Sequence, residues 1–443
     1  MKKQLLLFSI LIAAVFFSCR KSDIDTVKAV SLSVQIEYTT EDSAFGLSKA
    51  DIPVKITNLV NGQENTATTN ADGIAIFESV SPGNYTVSAS KNYTAEEFYA
   101  ATSIPVASNV AYNATATQAV NENANIKLTL QSGKIGDLVF KQIYYAGSNT
   151  KTGASFRDEF VEIYNNSNQT IYLDSLYFGN TWQSNTKISA GGVPLDWSTS
   201  PGMPANIGDP NKDYIYARYL FMIPGNGKEH PLEPGKSMII AQTAVNHTAP
   251  YAIYDTTNGV PVMQNIIDPS LSVDLSKADF EINLIKYLND ITPYKWDVDN
   301  PNVKNVDVVH VRQGNDWVMD ASGREDFFMF KTKTPFPVNE WPRYSVPGSP
   351  ASFCAQVKVA DIIDAVEILT PLETNRVPKR FPVSLDVSGT FVTGGQYSSQ
   401  SLIRKTVKIV EGRRILQDTN NSSNDFETKT KADPSKTDAS FEK

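Results

Sequence analysis

Apolar residues along this chain recur at every second position in short runs, the period of a strand and not of a helix. Val30, Leu32, Val34 and Ile36 alternate with polar neighbours, as do Val54 and Ile56, Ile74 and Ile76, then Tyr85, Val87 and Ala89, and later Ile126, Leu128 and Leu130. Each set predicts a strand with those residues turned inward. Between them, Asn70 to Gly73 has the composition of a tight turn with Gly73 at positive φ, and Pro82-Gly83 leads into another strand. The Ala-, Thr- and Asn-rich segment 93–125 reads as further strands and loops. A first unit over 29–131 follows, with Ser132-Gly133 as its joint.

The second unit, 134–428, opens with Leu138, Phe140 and Ile143 and then with the stretch Asp158 to Asn180. There Phe160 and Ile163, then Ile171, Leu173, Leu176 and Phe178, flank the turn-rich run Asn165 to Thr170, a pattern that predicts two strands joined as a hairpin. Later strands are expected at 219–223, 237–241, 279–285, 306–311, 362–369 and 402–404. A loop-rich insertion is read at 179–211; either this and a further insertion near 286–350 lengthen the unit, or a second subdomain is embedded in it. Residues 429–443 are polar and are expected to fray.

Composition agrees with a mainly β chain of two or three domains: 443 residues with 19 Tyr and 21 Phe, and only 20 % charged residues. The net charge of -8 offers nothing to nucleic acid, and losing Lys2 and Lys3 with a leader would take it to -10. Those lysines precede an apolar run from Leu5 to Phe17 and then Ser18-Cys19, which is the layout of a secretory leader. The small residue before a cysteine resembles a bacterial lipoprotein site: residues 1–18 would be the leader, Cys19 the lipidated residue and 19–28 a tether. Plain secretion and an uncleaved anchor are the alternatives. Cys354 would then have no intrachain partner, so packing and not a disulfide holds the fold.

Two resemblances follow from motifs. Thr68, Thr69, Asn70, Asp72, Gly73, Phe77, Pro82, Gly83, Tyr85 and Val87 resemble the carboxypeptidase-regulatory or transthyretin-like β-sandwich, a structural module without a peptidase site. Glu159 to Tyr164, the pair Tyr177 and Phe178, Met238 to Ala241, and the ending Ser401, Arg404, Asp418, Asn420, Asn421, Asn424, Asp425 and Phe426 resemble a lamin-tail domain, an immunoglobulin-like β-sandwich here expanded by insertions. That likeness implies that the chain's end folds back on the domain, with Arg404 paired to Glu159 or Glu162, or else solvated. Together the pattern looks like an uncharacterised lipoprotein family of Bacteroides and related bacteria.

Candidate chemistry is sparse. His230, His247 and His310 lack zinc-motif spacing, and no nucleophile elbow or phosphate-binding glycine loop occurs. Asp418, Asn420 and Asp425 offer oxygens to calcium, but they equally suit a loop held by side-chain to backbone hydrogen bonds with Phe426 in the core. Otherwise no cofactor is expected. Trp182 and Trp197 either cap a core or line a binding surface. The reading is a non-catalytic, outer-membrane lipid-anchored protein that binds a glycan, peptide or envelope-protein partner. Its alternatives are a hydrolase using Asp297, Asp299 or Asp320 with His310, and a structural component of an outer-membrane assembly.

Overall fold

The computed structural model describes residues 28–43, 45–102, 110–134, 137–167, 169–181, 185–288, 294–332, 337, 340–410 and 412–443. The leader, Cys19 and Trp182 lie outside them. The fold is mostly β, of sandwich type.

Seven strands form the first unit's sheet in the order Glu64–Thr68, Pro53–Asn58, Gly83–Tyr93, Val110–Val120, Ala124–Lys134, Val30–Tyr38 and Ile74–Val80. Ala124–Lys134 makes the corner. Its last residues, Gln131 to Lys134, pair antiparallel with Val110 to Asn113, whereas Ala124 to Leu130 pair parallel with Leu32 to Tyr38. The sheet thereby folds around one core containing Leu32, Val34, Ile36, Val54, Ile56, Val87 and Leu130. Ser132 and Gly133, expected as a joint, are paired residues of the corner strand.

Val30–Tyr38 alternates in burial as its pattern predicts. Ile74 and Ile76 do not: Ala75 and Phe77 face the core, and Ile76 is 56 % exposed. The register explains the reversal, since Ala75 sits opposite Val34 and Phe77 opposite Leu32, and cross-strand partners share a face. The turn before them is as expected. Gly73 has φ +80°, and Asn70 Oδ1 accepts the N–H groups of Asp72 and Ile74, each at 3.0 Å. After Pro82-Gly83, Tyr85 Oη donates to the Ser81 carbonyl at 2.7 Å. Within 93–125 the structure adds a helix, Ala95–Thr102, started by a reciprocal cap in which Thr94 N–H donates to Glu97 and Glu97 N–H to Thr94 Oγ1.

The second unit packs two sheets. Sheet I has the order Lys304–Asn305, Phe280–Glu281, Ser237–Ala241, Phe160–Asn165, Leu138–Tyr144, Ser401–Arg404 and Phe426–Lys429. Sheet II runs Arg343–Val346, Ser349–Lys358, Tyr214–Met222, Leu176–Thr181, Asp326–Lys331 and Ile362–Glu367, with Asp307–Val311 also paired to Tyr214–Met222. The expected hairpin is therefore a crossover. Phe160–Asn165 pairs within sheet I, and Leu176–Thr181 lies in sheet II between Tyr214–Met222 and Asp326–Lys331.

Both strands are buried at every position, because each sheet is covered on two faces. Val161, Ile163 and Met238 meet Phe178, Phe221 and Met329 between the sheets. Outside sheet I, Phe160 and Ile239 pack with Val273, Leu275 and Ala432. Outside sheet II, Tyr177, Leu220 and Phe328 pack with Trp341 and Phe381. Residues 429–443 belong to this covering and are not frayed: Ser440 is buried, and the Phe441 ring sits 5.7 Å from that of Tyr164 and 3.7 Å from Lys141 Nζ.

Gly179 shows how tightly sheet II is built. A Cβ there would lie 2.2 Å from the Tyr219 carbonyl oxygen, a backbone atom that cannot swing away. Gly179→Ala should lose about 3 kcal/mol or more in urea unfolding; a loss under about 1 kcal/mol would show that the strands can part without cost.

Candidate functional site

The lamin-tail-like ending converges on Arg404, which is 1 % exposed. Its partners are neither Glu159 nor Glu162. Nη2 donates to Asp364 Oδ2 at 2.6 Å, Nη1 to the Gln417 carbonyl at 3.0 Å and to Asp418 Oδ1 at 3.3 Å, and Nε to the Phe140 carbonyl at 2.8 Å. Asp425 Oδ2 stands 3.7 Å from Nη1, and the Phe426 ring packs 4.5 Å from the guanidinium carbon. Glu162 pairs instead with Lys141 at 2.8 Å, and Glu159 accepts the Met319 N–H at 3.1 Å.

Burial works against charge on Arg404, but Asp364, Asp418 and Asp425 outweigh it and raise its pKa. The same burial lifts Asp364 to about 7 and Asp425 to about 6, against the pull of Arg404. The cation around which Asp418 and Asp425 gather is thus a guanidinium. Asn420, the third calcium candidate, holds positive φ, +50°, and its carbonyl accepts the Val387 N–H at 2.8 Å.

This centre fixes the 418–425 loop, and the loop fixes its neighbours. Ser422 N–H and Oγ both donate to Asp386, and Ser423 N–H donates to the Ser388 carbonyl. On the other side, Asn113 of the first unit donates to the Thr419 carbonyl at 2.6 Å, so the loop also seats the first sheet. Where the units meet, an open cleft of about 730 Å³ is lined by Lys55, Val60 and Glu64 from one side and by Leu372, Phe391 and Ser423 from the other. Val60 is 86 % and Leu372 59 % exposed. Lys55 and Glu64 form an ion pair at 3.1 Å beside them.

The residues best suited to catalysis are committed elsewhere. Burial pushes the Cys354 thiol up to about 12 and holds His247 and His310 down to about 4. His247 Nε2 meets the Thr243 carbonyl, and His310 lies between the Phe353 carbonyl and Arg343 and not beside Asp297. Asp297 is held by Asn283, whereas Asp320 pairs with Arg324.

Among the described residues one group, Asp174, Glu229 and His230, has metal-ligand proximity. It is already occupied by protein donors. Burial would raise the Asp174 carboxyl, yet the N–H groups of Glu229, His230 and Gly227 hold it below its usual value, and Lys304 contacts both Glu229 and His230. Trp197 caps: it is 5 % exposed and stacked at 3.6 Å on Tyr216.

Sequence reasoning missed Asp364 and Asp386. An acid inside the apolar run Ile362 to Val366 was the available signal, because a strand tolerates a buried carboxylate only with a partner.

Residues 233–433 match the family model described as protein of unknown function (DUF4876). The fold is similar to the crystal structure of a DUF4876 family protein from Bacteroides thetaiotaomicron, with 25 % identity, 90 % of this chain and 94 % of that chain covered, and a TM-score of 0.51. A DUF3823 family protein from Parabacteroides merdae (8 % identity, 35 % and 67 % covered, TM-score 0.15) and a streptococcal ancillary pilin (11 %, 64 % and 62 %, 0.15) overlap too loosely to carry an argument. No protein of curated function matches the sequence.

Two outcomes test this geometry. Arg404→Ala, which strands three buried carboxylates, should lose about 3–5 kcal/mol in urea unfolding; a loss below about 1 kcal/mol would remove Arg404 as the fold's fixing point. Burial lifts Asp158 to about 7 from a usual 3.8, so its contribution to stability is full below pH 3.8 and is lost as pH rises through about 7. Asp158→Asn should therefore flatten the fall in stability between those limits, by on the order of a few kcal/mol. An unchanged pH profile would show that Asp158 is ionised throughout.

Proposed function

We propose that this chain is a non-catalytic, lipid-anchored protein of the cell envelope whose cleft between the two units holds an extended segment of a partner polypeptide. The supporting observation is the cleft's lining: two protruding aliphatic side chains, Val60 and Leu372, contributed by different units and flanked by the Lys55–Glu64 pair. Apolar anchors beside polar groups suit a peptide, whose side chains fill pockets while its backbone needs donors and acceptors. The committed states of Cys354, His247 and His310 support a binding role over bond breaking.

Anchoring rests on the sequence. The apolar run before Ser18-Cys19 supports a leader of 1–18, lipidation at Cys19 and a tether over 19–28; in this reading the two units stand at the outer membrane. The carboxypeptidase-regulatory-like first unit, Val30 to Lys134, then serves as the spacer and one cleft wall, and the expanded lamin-tail-like unit from Leu138 through the covering residues 429–443 as the other.

Two experiments check the proposal. A photo-crosslinking residue at position 60, introduced in cells, should capture one envelope protein, and Leu372→Asp should reduce that capture about tenfold. Equal capture from the exposed Val260, which lines no part of the cleft, would count against the cleft. Cys19→Ala should abolish labelling by a fatty-acid probe and release the protein from the membrane fraction; retained labelling would overturn the anchor.

A further inference from the structure

Three Asn-Gly pairs occur in the chain, at 61–62, 226–227 and 258–259, and all of these residues are exposed. Such a pair can react with itself. The backbone nitrogen of the glycine attacks the side-chain amide carbon of the asparagine, and glycine permits this because no Cβ obstructs the approach. The rate then depends on how firmly the fold holds the glycine N–H and the asparagine side chain.

Two of the pairs are held. Gly62 N–H donates to the Asn58 carbonyl at 2.9 Å, Asn61 Oδ1 accepts the Gln63 N–H at 2.9 Å, and Asn58 Oδ1 accepts the N–H groups of Val60 and Asn61. That turn joins two strands of the first unit's seven-stranded sheet. Gly227 N–H donates to Asp174 Oδ1 at 3.2 Å, and the same carboxylate takes the N–H groups of Glu229 and His230.

Asn258-Gly259 is different. It is the whole loop between Tyr251–Thr257 and Val260–Gln264, with Thr257 opposite Val260, and its φ values of +52° and +77° suit a type I′ turn. Among the described residues neither the Gly259 N–H nor the Asn258 amide has a hydrogen-bond partner, and no atom beyond the chain neighbours lies within 4 Å of a Cβ placed on Gly259. The hairpin is a two-stranded sheet of its own, and every residue from Tyr254 to Pro261 is exposed. Such a hairpin is marginally stable, so its tip opens at little cost.

We infer that Asn258 is a self-modifying position, which loses its amide nitrogen to become aspartate or isoaspartate while Asn61 and Asn226 persist. The Gly259 nitrogen bonds to Cγ of Asn258 and passes its proton through water to Nδ2; the Cγ–Nδ2 bond breaks and ammonia leaves. Water then opens the cyclic imide. Addition at Cγ yields aspartate, whereas addition at the main-chain carbonyl yields isoaspartate, whose backbone runs through Cβ. That extra backbone atom enters a two-residue loop whose length sets the hairpin's register. Either product also places a carboxylate three residues from Asp255. The reaction therefore loosens the hairpin and makes its tip more acidic.

The test is peptide mapping by mass spectrometry of the full-length protein, kept folded in mildly alkaline buffer and sampled over days. The peptide containing Asn258 should gain about 1 Da and resolve into two products, at least about tenfold faster than the peptides containing Asn61 or Asn226. In concentrated urea the three rates should converge, because the fold no longer protects two of the sites. Asn258→Gln should remove the reaction at that position alone. An intact Asn258, or equal rates at the three sites in folded protein, would overturn the assignment. A preference for Asn258 that persists unchanged in urea would overturn it as well, since neighbouring sequence and not the hairpin would then set the rate.

Discussion

The second unit depends on one buried guanidinium. Arg404 lies at the end of a short strand near the chain's C-terminal side, yet it binds the carbonyl of Phe140 in the unit's first strand and the carboxylate of Asp364 across the sandwich. An arginine is needed because its planar fork serves several acceptors at once, which the single point of a lysine cannot. Removing the charge would leave Asp364, Asp418 and Asp425 buried without compensation, and that is a larger cost than the pairs gain when formed. The contact therefore acts more as a condition for the native arrangement than as a source of stability.

From that condition the order of the neighbouring segments follows. The 418–425 loop is clamped on Arg404, Asp386 is clamped on Ser422, and Asn113 reaches the loop from the first sheet. The wall of the inter-unit cleft is thus assembled from residues that are distant in sequence but share one electrostatic support. Exposed Leu372 and Val60 can persist on such a wall because the backbone beneath them is held by polar contacts and not by their own burial.

What could be read in the sequence was whatever depended on one face or one turn. Val30–Tyr38 alternates because one side of it meets a core, and Asn70 to Gly73 announces its turn through glycine's freedom at positive φ. The Asp158 to Asn180 stretch misled for the opposite reason. Its strands are buried on both sides, so no alternation marks a face, and the Asn-rich segment between them suits a crossover as well as a hairpin. The Thr94–Glu97 cap was legible but short, and Ile76 outweighed Phe77 only because register is invisible without its partner strand. Arg404 was visible as a residue of interest. Its partner Asp364 belongs to the fold and not to any local pattern.

The corner strand of the first unit has a mechanical meaning. Val30–Tyr38 and Ala124–Lys134 run parallel, with Leu32 opposite Ala124 and Tyr38 opposite Leu130. The chain before the unit enters at Val30, and the second unit continues beyond Lys134, at the opposite end of the pair. A pull between those points slides one strand along the other and loads the whole parallel ladder together. Were the strands antiparallel, the same pull would open hydrogen bonds one at a time. The first unit is therefore wired in shear, the geometry in which a small sheet resists extension best.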